Sequence, residues 1–375
     1  MDAAQSLISF QLLSRIWEAL TRRIDRMLFV CALAIVGVGL VTLFSAADQS
    51  VPRVTSQLLS FGFAIVLMWL FANIPPQTLA RAAVPLYAIA VLMLLGVAMF
   101  GVVVNGSRRW LNFGVARFQP SELMKIALPL MLAWYFQKFE GRIGWTDFVL
   151  AAVLIVVPVY LIKRQPDLGT ALLIGASGFY VLYLAGLSWK IMVGLVALGA
   201  ALGPMVWQQL HDYQRERILT FLDPARDPLG AGYHSTQASI ALGSGGVAGK
   251  GWLNGTQTHL DFLPERHTDF IFAVFGEEFG LIGNAVLLIL YLLLIGRGIM
   301  IAANASTLFA RLLAGAITLM FFTYAFVNMS MVSGLLPVVG VPLPLVSYGG
   351  TAMISLFIGL GVLMSVQAHR KLVAT

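Results

Sequence analysis

Asp269 is a carboxylate at the mouth of an apolar helix, the last residue of Asp261-Phe-Leu-Pro-Glu-Arg-His-Thr-Asp269. A carboxylate there can serve as a general base or cap the helix that follows. Thr268 could cap equally well, and capping does not account for Glu265, Arg266, His267 and Asp269 within five residues. Ionisable groups at an apolar boundary are costly and tend to be functional. Glu265 and Arg266 are placed to pair with each other. His267 is expected to hydrogen-bond and not to bind metal, because no second histidine sits at ligand spacing.

Two further carboxylates open apolar segments. In Phe118-Gln-Pro-Ser-Glu122, Pro120 and Ser121 make a helix start and Glu122 complements the dipole. Lys125 lies three residues on, on the same face, where it can pair with Glu122. Gln165-Pro-Asp-Leu-Gly-Thr170 repeats the device with Asp167. Glu277 and Glu278 fall about two turns into the segment after Asp269, and at least one should face the bundle interior. Gly243-Ser-Gly-Gly-Val-Ala-Gly-Lys-Gly251 is not a P-loop: glycine is missing at Ser244, Gly251 replaces the Ser or Thr after Lys250, and no strand precedes it. It reads as a flexible loop, with Lys250 a weak candidate for a pyrophosphate contact.

The elements that must position these groups are membrane helices. The chain has 375 residues, 59% hydrophobic and 11% charged, with mean hydropathy +0.86; soluble domains carry about 25% charged residues. A span needs about 20 apolar residues. Ten candidates occur, near 27–46, 54–73, 82–104, 121–137, 146–163, 168–187, 190–209, 270–295, 308–333 and 344–366. The expected architecture is an all-α polytopic membrane protein with one large extracytoplasmic loop, 210–268, between helices 7 and 8. Within it, His234 to Leu242 could lie flat on the outer surface. Residues 1–26 read as an amphipathic cytoplasmic segment and 27–375 as a single transmembrane domain. The first apolar run begins near Met27 and is long enough to span, so no cleavable signal is expected. Pro337, Pro342, Pro344 and Gly349-Gly350 mark irregular backbone, tolerated at membrane depth only against protein or a cavity. Cys31 is the single cysteine, so no intrachain disulfide forms.

The net charge of +7 carries its information by location. No basic run interleaved with aromatics occurs, so nucleic acid is not an expected partner. In short loops the basic residues divide twelve to six, which puts both termini in the cytoplasm. The exceptions are informative. Arg108, Arg109, Arg117, Lys163 and Arg164 sit in short external connections against the rule. Arg108-Arg109 before Trp110, and Lys163-Arg164 before Gln165-Pro166-Asp167, are therefore candidates for holding an anionic ligand. The bland alternative is that such residues snorkel to headgroups, the reading preferred for Arg53.

Five motifs, in order, resemble the SEDS family: Phe118-Gln-Pro-Ser-Glu122, Gln165-Pro-Asp-Leu-Gly-Thr170, Asp223-Pro224 with Asp227-Pro-Leu-Gly-Ala-Gly-Tyr233, Leu263-Pro-Glu-Arg-His-Thr-Asp269 and Pro342-Leu-Pro-Leu-Val-Ser-Tyr-Gly-Gly350. The resemblance implies a ten-helix peptidoglycan glycosyltransferase in the bacterial cytoplasmic membrane. It would polymerise lipid II into a nascent glycan strand at the periplasmic face, for cell elongation and rod shape. It implies a class B penicillin-binding protein transpeptidase as partner, alongside other membrane proteins of the elongation complex. Asp269 matches the family's essential acidic residue, and Trp110, Lys125 and Asp167 fall on positions the family treats as important.

That chemistry is consistent with the residues. Pyrophosphate is a good leaving group and needs cationic stabilisation, from Arg and Lys alone or with a divalent cation such as magnesium or manganese. The acceptor hydroxyl needs a base, worth about 10²–10⁴-fold. Transfer from an α-linked donor to a β-1,4 product inverts, so the base lies opposite the leaving group. Two other readings compete. A lipid II flippase would distribute charge through the full membrane depth, and a non-catalytic scaffold that activates a penicillin-binding protein would not need Asp269.

Overall fold

The computed structural model describes residues 21–104, 107–112, 117–210, 212–223, 231–259 and 265–370. The expected amphipathic stretch 1–26 lies outside them up to residue 20. In chain order the elements are α1 (Arg26–Ala46), α2 (Val51–Asn73), α3 (Pro76–Phe100), β1 (Val102–Val104), β2 (Ser107–Asn112), β3 (Arg117–Phe118), α4 (Pro120–Lys138), α5 (Trp145–Lys163), α6 (Leu168–Leu184), α7 (Trp189–Gln209), α8 (Asp212–Leu222), α9 (Ala231–Ser244), α10 (Thr256–His259), α11 (Ile271–Ala303), α12 (Leu308–Val332) and α13 (Gly350–Ala368). Each of the ten expected segments contains a helix. Seven of these, α1 to α3, α5 and α11 to α13, are long and apolar enough to cross a membrane.

Local chemistry sets the helix starts. Asp25 accepts a hydrogen bond from Leu28 N at 3.0 Å and caps α1. Proline stands in the first turn of α2, α3 and α4, where its missing N–H goes unused. Thr307 caps α12 through Ala310 N at 3.2 Å. Burial then sorts the helices. α12 is central, with 67% of its most apolar stretch inside the bundle against 17% for α2. It packs on α11, α6 and α4, while α13 lies along α2. Tyr291, Tyr324, Phe136, Phe309, Phe321 and Phe357 fill the interior. Leu59, Met99 and Phe100 point outward, more than two-thirds exposed, as suits a lipid-facing surface.

The structure corrects several expectations. The third segment was expected to run to 104, but its helix ends at Phe100 and Val102–Val104 becomes a strand. β1 pairs antiparallel with β2, Val103 opposite Arg108, and β2 pairs with β3, Leu111 opposite Phe118. An unbroken apolar run hides this change, because three valines suit a strand as well as a span. The last helix starts at Gly350 and not near 344, leaving irregular backbone over the proline-rich stretch before it, as its composition implied.

α11 runs to Ala303 instead of 295, with a non-helical Gly280 (φ 64°, ψ −161°) inside it. The break frees backbone groups that the glycine-rich run 243–251 satisfies. Lys250 N and Gly251 N donate to the Glu277 and Glu278 carbonyls, both at 3.0 Å, and Leu281 N and Ile282 N donate to Gly246 O and Val247 O at 2.9 and 3.1 Å. At Gly249 (φ +80°) a Cβ would lie 2.1 Å from Glu278 O. This run is thus a fitted backbone patch and not a flexible loop. α9 likewise does not lie flat on the surface. It packs on α11 and α12, with Ala238 and Ala241 fully buried.

Candidate active site

At one end of the bundle, β2, the start of α4, the start of α6, the turn 265–270 and the irregular stretch before α13 surround a cleft of about 250 Å³. Three polar groupings face into it. The first is Asp167, which caps α6 by accepting from Thr170 N at 3.2 Å. Its other oxygen receives Gln119 Nε2 at 3.3 Å and lies 3.6 Å from the Arg109 guanidinium. Arg109 also donates to the carbonyls of Gln165 (3.4 Å) and Pro166 (2.5 Å). These bonds fix a half-buried guanidinium at the cleft wall beside Trp110.

The second grouping is buried. Lys125 Nζ lies 2.7 Å from Glu122 Oε1, and the two side chains are only 5% and 10% exposed. Ser355 Oγ of α13 donates to Glu122 Oε2 at 2.6 Å. The Lys125 ammonium also sits 5.0 Å from the centre of the Tyr324 ring. One turn of α4 therefore presents a paired ammonium to the cleft.

The third is Asp269. α11 is entered through Phe270, and no side-chain capping bond is made there. Asp269 lines the cleft, its Oδ2 resting 3.4 Å from where Gly340 (φ +77°) would carry a Cβ. The turn before it is tied down. Thr268 Oγ1 donates to Glu265 Oε2 at 2.9 Å. Arg266 pairs with Asp48 of the α1–α2 connection and donates to Thr258 O, so the expected pairing with Glu265 is replaced by a bond that reaches across the fold. His267 is half-buried, its ring 6.0 Å from that of Tyr348. Burial first, and the nearby Arg53 charge second, hold its pKa below 6.5, so it is mainly neutral at pH 7.

Of the sequence candidates, the cleft gathers Arg109, Trp110, Glu122, Lys125, Asp167 and Asp269, with Glu265, Arg266 and His267 shaping the turn that carries Asp269. Four others lie elsewhere. Arg108 is exposed and reaches the Ala98 carbonyl at 3.4 Å. Lys163 is exposed at the end of α5, and Arg164 stacks over Tyr160 at 5.2 Å. Lys250 is not a ligand contact in this structure. Its ammonium pairs with the buried Glu277 at 2.7 Å, which also accepts from Gln257 N and Thr258 N. Glu278, the other interior acid, accepts from Ser45 Oγ. Gln119, Tyr324 and Ser355 were not singled out from the sequence. Tyr324 and Asn328, four apart in an apolar helix, are the kind of intramembrane polar signal that could have found them. Among the described residues no three acidic, histidine or cysteine side chains group as a metal site.

The model of the FtsW/RodA/SpoVE family, described as cell cycle proteins, matches residues 23–372. The chain belongs to this family. The SEDS motifs, with Asp269, Asp167 and Glu122 among them, thus sit in a family-wide match and not in isolated stretches. The chain is 49% identical over 352 residues to the peptidoglycan glycosyltransferase MrdB of Escherichia coli K12, covering 94% of this chain and 95% of that one. Its fold resembles a chain of a peptidoglycan synthase complex solved to show coordination of polymerisation and crosslinking, with TM-score 0.81, 35% identity and coverage of 92% and 99%. It also resembles the rod shape determining protein RodA of Thermus thermophilus, with TM-score 0.70, 32% identity and coverage of 92% and 97%.

Proposed function

We propose that this chain polymerises lipid II into β-1,4-linked glycan at the cleft, with Asp269 as general base. The class of activity, peptidoglycan glycosyl transfer, follows from the family and from a relative 49% identical along nearly its whole length. The observation that carries the site is the convergence of one carboxylate, Asp269, with a held guanidinium and a buried ammonium on the walls of a single cleft. Arg109 and Lys125 face the donor pyrophosphate and stabilise the charge that develops on it. Asp269 takes the proton from the acceptor hydroxyl. That oxygen bonds to the donor anomeric carbon as the bond to pyrophosphate breaks, and undecaprenyl pyrophosphate leaves. A base and a cationic wall on separate sides of the cleft suit inversion.

A second feature supports a lipid-linked substrate. An apolar slot of about 110 Å³ lies between α4 and α13, lined by Leu123, Ile126, Ile354 and Ile358. It shares Glu122 and Thr351 with the polar cleft. A headgroup in the cleft can thus have its prenyl chain in hydrocarbon. A magnesium ion carried by the pyrophosphate needs only one or two protein carboxylates, so a divalent cation belongs to this reading through the substrate. The basic-residue bias places the cleft end outside the cytoplasmic membrane and both termini inside. The likeness to a chain of a synthase complex supports a class B penicillin-binding protein as the crosslinking partner.

The test is purified protein with lipid II, with and without the partner and with magnesium, manganese or chelator, scored for glycan polymer. Wild type should polymerise. Asp269→Asn should fold and bind lipid II yet make little polymer. Near-normal polymer from Asp269→Asn removes the base assignment. No polymer under any condition returns the flippase and scaffold readings.

A further inference from the structure

We infer that Asn328 is the residue that positions Asp269, an inference resting on the base assignment above. Asn328 lies inside α12 with its side chain fully buried. Its Nδ2 donates to Asp269 O at 2.8 Å and to Val341 O at 2.7 Å. Two carbonyls at these distances require the amide nitrogen on that side, so the orientation is set by chemistry. Oδ1 has no hydrogen-bond partner among the described residues. A buried polar group in an apolar helix, half satisfied, is unfavourable for the fold. Its two bonds go where they serve the site.

They join the two walls that meet at Asp269. One carbonyl is that of Asp269 itself. The other belongs to Val341, next to Gly340, over which the Asp269 carboxylate rests. Asn328 thus sets the separation between the carboxylate and the wall it leans on. The neighbouring carbonyls are held from the same stretch: Tyr348 N donates to His267 O at 2.9 Å, and Ser347 Oγ to Thr268 O at 2.6 Å. Of the three residues that pin 267–269, only Asn328 stands on a regular helix, so it ties the turn to the rigid part of the bundle. Aspartate at 328 would turn a charge on two carbonyls, leucine would offer no donor, and serine could reach with one donor at most.

Asn328→Leu and Asn328→Ser are compared with wild type and Asp269→Asn by lipid II titration, and each is melted in detergent. The 328 variants should remain folded with KM unchanged. In Asn328→Leu kcat should fall by about 10–10²-fold, the scale of loss from displacing a reacting group by about 1 Å, and by less in Asn328→Ser. In an Asp269→Asn background Asn328→Leu should take nothing further from the residual rate, since the two act as a unit. Wild-type kcat in Asn328→Leu, a loss carried by KM, or an additive loss in the double variant overturns the assignment. Failure of both 328 variants to fold also overturns it, because Asn328 is then a residue of bundle stability. If Asp269→Asn polymerises normally, the base reading falls and this one with it. If Asp269→Asn is inactive while Asn328→Leu keeps wild-type kcat, this one falls alone.

Discussion

Replacing Glu122 by alanine leaves a lysine ammonium inside the bundle with its main counter-charge gone. The two groups are 2.7 Å apart and nearly excluded from solvent. Unit charges at that distance attract by about 6 kcal/mol at an effective dielectric of about 20. The observed penalty for removing one partner of such a pair is about 3–5 kcal/mol, because the survivor stays desolvated. Ser355 Oγ also loses its acceptor at 2.6 Å. Glu122→Ala should therefore unfold at clearly lower temperature or denaturant in detergent. The double replacement Glu122→Leu with Lys125→Met removes both charges at similar volume and should recover most of that stability. It should not recover activity, because Lys125 is part of the cleft wall. Thermal unfolding and lipid II polymerisation, measured on the same preparations, separate the two effects. A Glu122→Ala protein as stable as wild type, or a double variant less stable than Glu122→Ala, refutes the ion-pair reasoning.

The remaining predictions concern other parts of the fold. Arg109→Ala should lower polymerisation sharply, whereas the combined Arg108→Ala, Lys163→Ala, Arg164→Ala variant should polymerise normally at limiting lipid II, since only Arg109 reaches the cleft. Gly249→Ala should destabilise the protein in thermal melts, because its Cβ would meet Glu278 O at 2.1 Å and its φ is +80°. The Asp25 pKa is lowered below 3.8: burial pushes it up, but bonds from Arg297 and Leu28 N outweigh this. Its contribution to stability is thus present above an unfolded pKa of about 3.9 and is lost as pH falls through the lower folded value. Wild type should be more stable than Asp25→Asn at neutral pH, with the gap closing only in acid.

Much of the cleft was legible because charge is rare in this chain. Asp167, Asp269 and the Glu122–Lys125 pair stand out against apolar surroundings, and the structure gathers all four. Charge pattern did not reveal orientation. Arg108 and Arg109 are neighbours on a strand, and such neighbours diverge, so only one serves the cleft. Lys250 was expected as a ligand contact, but its partner, Glu277, is distant in sequence. The ten helical segments followed from hydropathy, yet their ends did not. The valines after Phe100 extend an apolar run while changing its backbone, and the break at Gly280 interrupts α11 without interrupting its hydropathy. Asn328 was passed over because one amide inside a long apolar helix barely alters the average.

The bonds between the glycine run and the broken helix close a ring in the chain. Gly246 meets Leu281 and Val247 meets Ile282, so everything between leaves and re-enters the bundle through one neck. The entropy of closing that ring is met at the neck and not by the turn bearing Asp269. Doubling such a loop adds only about 0.6 kcal/mol of closure cost. Length changes on the far side of the ring from Asp269 are therefore cheap thermodynamically, and they leave the neck in register. The ring is a place where the chain can acquire or lose residues while the carboxylate keeps its address.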